Sequence, residues 1–403
     1  MTLPAGASAI RGLSENGLEW TIDGKSPGAD RIQAGKVLLV TSRASGRVLA
    51  VTKDGTDLRV ILGPVEITDV VKEGSFKVEQ PVDLTQSVPY VAPDLLNGSG
   101  PVAPVISQWN AGPYRLVPVR FGDVTVHKFK AIPLAGPRGV GARITSDAGS
   151  VKFLGEAFLY LNTPKLRFIL DIRAGKITVC EVELSGAAGI LLTFEAASTA
   201  SMSANLNEDL DVPTSYSIPI VGMGVPFSVT FSQRFRVQTA FSSTGVLKAR
   251  GNYSLNGGLN VGYRDGRFSV GGPTGLKTKE SLLNSTDGVA IGVSGLVLVH
   301  QVKVMVGIGA FGFNTGPYVA MNSSVAVSRG SNIGIVTCKG ATLTMALLAG
   351  VGYMMPQTVT RAINFILRKL NLGEIKRSGG FETAPMNILS TTSYAPKVKV
   401  CEQ

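Results

Sequence analysis

Apolar and polar side chains alternate almost without interruption along residues 227–241. One side of an extended chain carries Phe227, Val229, Phe231, Phe235, Val237 and Phe241, and the other carries Ser228, Thr230, Ser232, Arg234, Arg236 and Gln238. A period of two residues is typical of a β-strand with one buried face. At about 3.3 Å per residue this strand would be roughly 50 Å long, which predicts an elongated or strongly bent sheet. Bulges are expected at Gln233 and Thr239, where polar residues interrupt the apolar face.

The same alternation divides the chain into regions. Short alternating runs within residues 36–84, with the turn dipeptide Asp54-Gly55 between two of them, predict a small β-barrel or sandwich over residues 1–95. Residues 96–118 are rich in Pro and Gly without periodicity, which predicts a connection. Further alternating runs predict a large, mainly antiparallel β-domain over residues 119–403.

One segment has helical spacing instead. Val359, Ile363, Ile366, Leu367 and Leu370 predict an amphipathic helix near residues 357–371. Pro356 precedes this segment and Gly373 follows it, as at helix ends. We expect its apolar stripe to cover one end or face of the large sheet, with a membrane-surface role as the alternative.

Composition supports an all-β fold. Only 17% of the 403 residues are charged, against about 25% in a typical soluble domain, and 48 Gly with 21 Pro favour strands and turns. The most apolar stretch, residues 288–313, alternates and is broken by Gly, His and Lys, so no transmembrane helix is predicted. The first twelve residues lack the basic and apolar regions of a secretory signal. Low charge and many strands nevertheless favour a secreted or cell-envelope protein over a cytoplasmic one.

The net charge of +11 would attract an acidic partner. The basic residues are scattered singly or in pairs, however, without a recognition-helix pattern or an aromatic and basic platform. Nucleic-acid binding is therefore not predicted.

Candidate chemistry is sparse. The two histidines, His127 and His300, each lie on a predicted strand, and no catalytic or cofactor-binding motif is present. Residues 205–211 place oxygen-bearing side chains at every second position, as a calcium loop does, but lack the bend-forming Gly and late Glu of an EF-hand. We expect a solvated loop there, no metal site and no cofactor, with calcium binding left open.

Three cysteines, Cys180, Cys338 and Cys401, are far apart in the chain. Their spacing predicts neither a zinc site nor a disulfide framework. Small buried side chains and a free tail thiol are expected, with a Cys338–Cys401 bridge as the alternative.

These patterns favour a non-catalytic envelope or extracellular β-protein that binds a hydrophobic ligand such as a lipid. The expected cavity is lined by four residues of one strand, Phe227, Phe231, Phe235 and Phe241. The alternative is a structural or adhesive surface subunit that self-assembles into homo-oligomers through exposed sheet edges. An enzyme of unknown class ranks third.

Overall fold

The computed structural model describes most of the chain. It covers residues 1–14, 18–40, 44–91, 124–126, 129–147, 150–199, 205–212, 214–220, 227–264, 266–290, 293–310, 313–332, 336–355 and 357–401. The predicted connection at 96–118, His127 and the helix-starting Pro356 lie outside the described residues. The described residues confirm the all-β fold class, with a small N-terminal sheet, two large sheets and one longer helix near the C-terminus.

The N-terminal sheet has six strands in the order β1-β4-β5-β6-β3-β2. Its strands are β1 Thr2–Leu3, β2 Ile10–Leu13, β3 Glu19–Asp23, β4 Val37–Val40, β5 Ala44–Asp54 and β6 Asp57–Gly63. The predicted Asp54-Gly55 turn joins β5 to β6, and Gly55 adopts φ +63°, which a side chain would disfavour. After β6 the chain forms the single-turn helix α1, Ile67–Val70.

The first large sheet has eleven strands and a long central hairpin. Its strands are β7 Gly74–Pro81, β9 Val124–Val126, β10 Phe129–Gly136, β11 Gly139–Ser146, β12 Val151–Arg173, β13 Lys176–Ser198, β17 Gly245–Asn256, β18 Gly258–Arg264, β19 Arg267–Gly271, β20 Gly275–Glu280 and β21 Asp287–Ala290, with the short helix α2 at Leu282–Ser285. Strands β12 and β13 are each 23 residues long and meet at a tight turn around Ala174. This hairpin makes the sheet elongated.

The second large sheet has nine strands, and β16 is the alternating segment predicted from the sequence. Its strands are β8 Val88–Val91, β14 Asn207–Asp211, β15 Thr214–Pro219, β16 Phe227–Phe241, β22 Ser294–Ala310, β23 Phe313–Asn332, β24 Val336–Met354, β25 Ser378–Glu382 and β26 Met386–Ala395. Strand β16 pairs with β22 residue for residue over its whole length. The bulges predicted at Gln233 and Thr239 are wrong, because both polar side chains continue the alternation and point inward.

The two large sheets pack face to face around one continuous apolar core. Phe168 and Phe194 contribute from the first large sheet, and Phe231 and Phe235 contribute from the second. Each fully buried side chain of this size stabilises the fold by about 1.5–3 kcal/mol relative to exposure. The architecture is therefore a large β-sandwich with a smaller sheet attached.

The predicted helix is present as α3, Gln357–Lys369. Its buried residues Val359, Ile363 and Leu367 belong to the core of the N-terminal sheet, together with Trp20 and Ile22. The same cluster also contains Phe313 of β23, and Tyr353 of β24 packs against it, at one end of the second large sheet. The prediction that the stripe covers an end of the large sheet is therefore confirmed in part, and the N-terminal sheet is the partner that was not predicted. Helical periodicity shows which side of a helix is apolar, but it does not show which part of the protein packs against that side.

Part of the predicted N-terminal region belongs to the large sheets. Strand β7 pairs with β12 and strand β8 pairs with β15, so residues 74–91 extend the two large sheets. The division at residue 95 itself stays a prediction. Among the described residues, no helix combines the length and apolar character required to cross a bilayer.

Candidate functional site

The four phenylalanines predicted to line a ligand cavity lie in the core between the large sheets. Phe227, Phe231, Phe235 and Phe241 are at most 2% exposed. The Phe227 ring contacts Phe76 of the opposite sheet, with centroids 5.1 Å apart. Their burial weakens the idea of an enclosed ligand, although a ligand-lining role stays a prediction.

His300 occupies the same core beside Phe235, with ring centroids 4.7 Å apart. Its Nε2 lies 2.9 Å from Gln233 Oε1, and Gln233 Nε2 donates to the backbone oxygen of Gly141 on the opposite sheet. Burial lowers the pKa of His300 to about 3. A neutral histidine without solvent access serves as a structural polar bridge between sheets and is poorly placed for acid–base catalysis.

The outward face of the same strands carries a shallow groove of about 580 Å³. One row of outward residues crosses five neighbouring strands at this point: Gln238, Val297, Ala326, Thr342 and Thr392. Small residues such as Gly295, Ala326 and Gly340 line part of the floor of the groove, so the backbone of the sheet lies close to the surface there. All the described residues that line the groove are uncharged.

Amide and hydroxyl groups surround this floor. On one side, Gln238 Nε2 donates to Asn207 Oδ1 at 2.9 Å, and the Asn205 amide bonds the backbone of Phe241. On the other side, the ring of Tyr394 lies beside Gly340. The groove therefore combines an apolar floor with fixed polar groups and one aromatic ring.

The candidate calcium segment forms strand β14 instead of the expected loop. Asp209 lies 3.1 Å from an Arg234 nitrogen, and Asp211 Oδ2 accepts from Arg377 Nη2 at 2.6 Å. Neighbouring arginines thus neutralise these carboxylates. Within the described residues, no group of three or more His, Cys, Asp or Glu side chains is arranged to hold a metal ion.

A buried lysine lies farther along the same outward face. Lys303 is 4% exposed, and its Nζ lies 3.9 Å from the centroid of the Tyr318 ring. The Tyr318 hydroxyl donates to Glu382 Oε2 at 2.6 Å. This arrangement is a cation–π contact next to a charge-assisted hydrogen bond, in a largely desolvated location.

Burial is the main influence on the Lys303 ammonium and lowers its pKa to about 8. The carboxylates of Glu382 and Asp211 oppose this shift, whereas Arg377 and Arg234 reinforce it. The same desolvation, together with the hydrogen bond to Glu382, raises the pKa of Tyr318 above its ordinary value.

Cys338 and Cys401 form a disulfide across a sequence separation of 63 residues. The expectation of a free tail thiol is therefore wrong, and the alternative bridge is confirmed. Cys180 is buried as expected, and burial raises the pKa of its thiol to about 12, which leaves it neutral and unreactive in the folded protein.

The sequence did not single out the groove or Lys303. The row of residues that crosses the groove occupies outward positions of alternating strands, and alternation identifies which side faces outward without showing that the surface is concave. The sequence does contain a feature that could have identified Lys303, because it is the one charged residue within the 17 residues of the otherwise mostly apolar strand β22.

Comparison with known families gives two matches. Residues 113–383 match a family model described as Domain of unknown function (DUF8402), and residues 1–73 match another described as Domain of unknown function (DUF8403). No curated protein and no solved structure is significantly similar to the chain.

Proposed function

The chain belongs to the DUF8402 family, and we propose that it is a non-catalytic, extracytoplasmic β-sandwich that binds a neutral carbohydrate chain in the groove of the second large sheet. The supporting observation is the absence of charge from the lining of this groove. The protein contains 39 basic and 28 acidic residues, yet none of those within the described part of the chain lines it.

Carbohydrate suits the chemistry of this surface. Sugar rings present hydroxyl groups at their edges and aliphatic C–H groups on their faces. The amides of Asn207 and Gln238 and the hydroxyl of Thr342 supply donors and acceptors for the former, while Val297 and the Tyr394 ring supply apolar area for the latter. An anionic or cationic ligand would lose hydration without finding an opposite charge in the groove.

An extracytoplasmic location is supported by the Cys338–Cys401 bridge. Disulfides persist in oxidising compartments and are rare where glutathione and thioredoxin keep thiols reduced. The low content of charged residues agrees with this location.

The test is a binding screen of the full chain against neutral and anionic polysaccharides, followed by titration calorimetry on any hit. The Ala326→Arg variant places a long charged side chain in the groove. Its matched control is Ser324→Arg, two residues earlier on the outward face of β23 and not among the lining residues. Both variants add the same charge to the same strand.

We expect Ala326→Arg to weaken binding of a neutral glycan at least about tenfold, equivalent to 1.4 kcal/mol, and Ser324→Arg to preserve it within about twofold. Preference for anionic polymers, equal losses in both variants, or no glycan binding at all would contradict the proposal.

Self-association is a second candidate function, supported by strand β26. This ten-residue strand contains no charged residue, is largely exposed and pairs only with β24 among the described strands. An uncharged edge strand of this length offers unpaired backbone groups to another strand. Pairing of β26 with its copy in a second molecule would join the sheets of two chains.

Sedimentation velocity over a wide concentration range tests this second candidate. The variant Ser393→Lys places a charge on the β26 edge, and Ser269→Lys on the edge strand β19 is the matched control. Concentration-dependent dimers abolished only by Ser393→Lys would support it. A monomer at all concentrations would exclude it.

A further inference from the structure

Apolar side chains are exposed at the C-terminal end of helix α3. Phe365 is 41% exposed on the outer side of the helix, and Leu370 and Leu372 in the following turn are 39% and 41% exposed. All residues from 368 to 374 are exposed. We refer to Phe365 together with residues 368–374 as the helix tip.

The backbone of this turn is firmly held. Asn371 adopts φ +55°, its amide donates to Arg368 O, and the amide of Leu372 donates to Leu367 O. These bonds form the Schellman motif, so Asn371 ends the helix and the predicted Gly373 does not. The two leucines are therefore displayed by an ordered turn and not by a loose segment.

A side-chain clamp adds to this order. Asn364 Oδ1 accepts from the amide of Ile375 at 2.9 Å, and Asn364 Nδ2 donates to Ile375 O at 3.1 Å. The end of the turn is thereby tied back to the helix.

Basic residues are frequent in and next to the helix tip. Arg361, Arg368, Lys369 and Lys376 are close in sequence, and Glu374 is the single acidic residue of the segment 357–377. Lys369 Nζ lies 4.4 Å from the centroid of the Phe365 ring. Glu374 lies 3.5 Å from Arg368, which leaves the segment with a clear positive excess.

We propose that the helix tip docks the protein onto the surface of a bilayer containing anionic phospholipids. Leu370, Leu372 and Phe365 would enter the boundary between headgroups and acyl chains, and the surrounding basic residues would contact lipid phosphates. Charge complementarity favours this partner, because exposed apolar residues in a segment with an excess of Lys and Arg match an anionic surface above an apolar interior. This proposal does not depend on the proposal that the groove binds a glycan.

The test is co-sedimentation of the full chain with vesicles of phosphatidylcholine alone and of phosphatidylcholine with phosphatidylglycerol. Leu372→Glu changes the tip, and Leu154→Glu changes a leucine of similar exposure, 37%, on strand β12. Lys369→Glu and Lys152→Glu form the matching pair for charge. The Leu154 and Lys152 controls measure the nonspecific contribution of the net charge.

We expect binding to the anionic vesicles that weakens with salt, and little binding to the neutral vesicles. Leu372→Glu and Lys369→Glu should each weaken binding about tenfold or more, because one loses buried apolar area and the other reverses a contacting charge. Their controls should stay within about twofold of the native protein. Absence of binding to anionic vesicles, or equal losses in tip and control variants, would overturn the proposal.

Discussion

His300 Nε2 lies 2.9 Å from Gln233 Oε1 in the core between the two large sheets. Gln233 Nε2 donates to Gly141 O, so its Oε1 faces the imidazole and accepts the proton of His300 Nε2. This network fixes the neutral Nε2–H tautomer. It also joins both sheets through one polar bridge inside an apolar core.

The neutral histidine should make the protein sensitive to acid. The pKa of His300 is about 3 in the folded state and near 6.5 when exposed, so the unfolded chain alone binds this proton between those pH values. Stability should fall as the pH decreases through this window, by up to about 1.4 kcal/mol per pH unit. Urea unfolding of the native protein and His300→Gln from pH 4 to 7 measures the effect. The variant should show the shallower pH dependence, and parallel curves would contradict the assignment.

Phe231 tests whether the inner face of β16 is packed core or a ligand cavity. It is fully buried, so Phe231→Ala should lower the free energy of unfolding by about 3–5 kcal/mol through lost contacts and a new cavity. Ser232→Ala, on the outward side of the same strand, should change it by less than about 0.5 kcal/mol. Guanidinium unfolding gives both values. A loss of less than about 1 kcal/mol in Phe231→Ala would instead favour the ligand cavity expected from the sequence.

Lys303 should produce an effect at alkaline pH. Its pKa is about 8 in the folded protein and about 10.4 in an unfolded chain, so the folded state releases this proton first. As the pH rises between these two values, the free energy of unfolding of the native protein should increase relative to that of Lys303→Met, by up to about 1.4 kcal/mol per pH unit. Thermal unfolding from pH 7 to 10.5 checks this. Lys152→Met is the control because that side chain is exposed to solvent in the folded state as well.

Local patterns predicted much of this fold. Strict alternation identified β16, the Asp54-Gly55 dipeptide identified the turn between β5 and β6, and helical spacing identified α3. In each case the signal lies within some twenty residues, where periodicity reports directly which side of an element is apolar.

The incorrect predictions concern contacts between residues that are far apart in the chain. The helical spacing around Ile363 shows that one side of the helix is apolar, but it does not indicate that the N-terminal sheet packs against that side. Gln233 and Thr239 resemble interruptions of the apolar face because the partner that satisfies Gln233, Gly141 O, is 92 residues away in the chain. The groove likewise depends on the registration of five strands, which a single sequence does not display.

The Cys338–Cys401 disulfide should contribute strongly to stability, because it ties the end of the chain to strand β24 across 63 residues. Closing a loop of this length restricts the unfolded chain by about 4 kcal/mol in the chain-entropy description. Cys338→Ser and Cys401→Ser should therefore each lose a similar amount of unfolding free energy, and reduced native protein should converge on them. Alkylation of denatured protein followed by mass measurement supplies the control, since one modified thiol, Cys180, is expected before reduction and three afterwards. Three modified thiols before reduction, in protein isolated under oxidising conditions, would contradict both the bridge and the extracytoplasmic location that it supports.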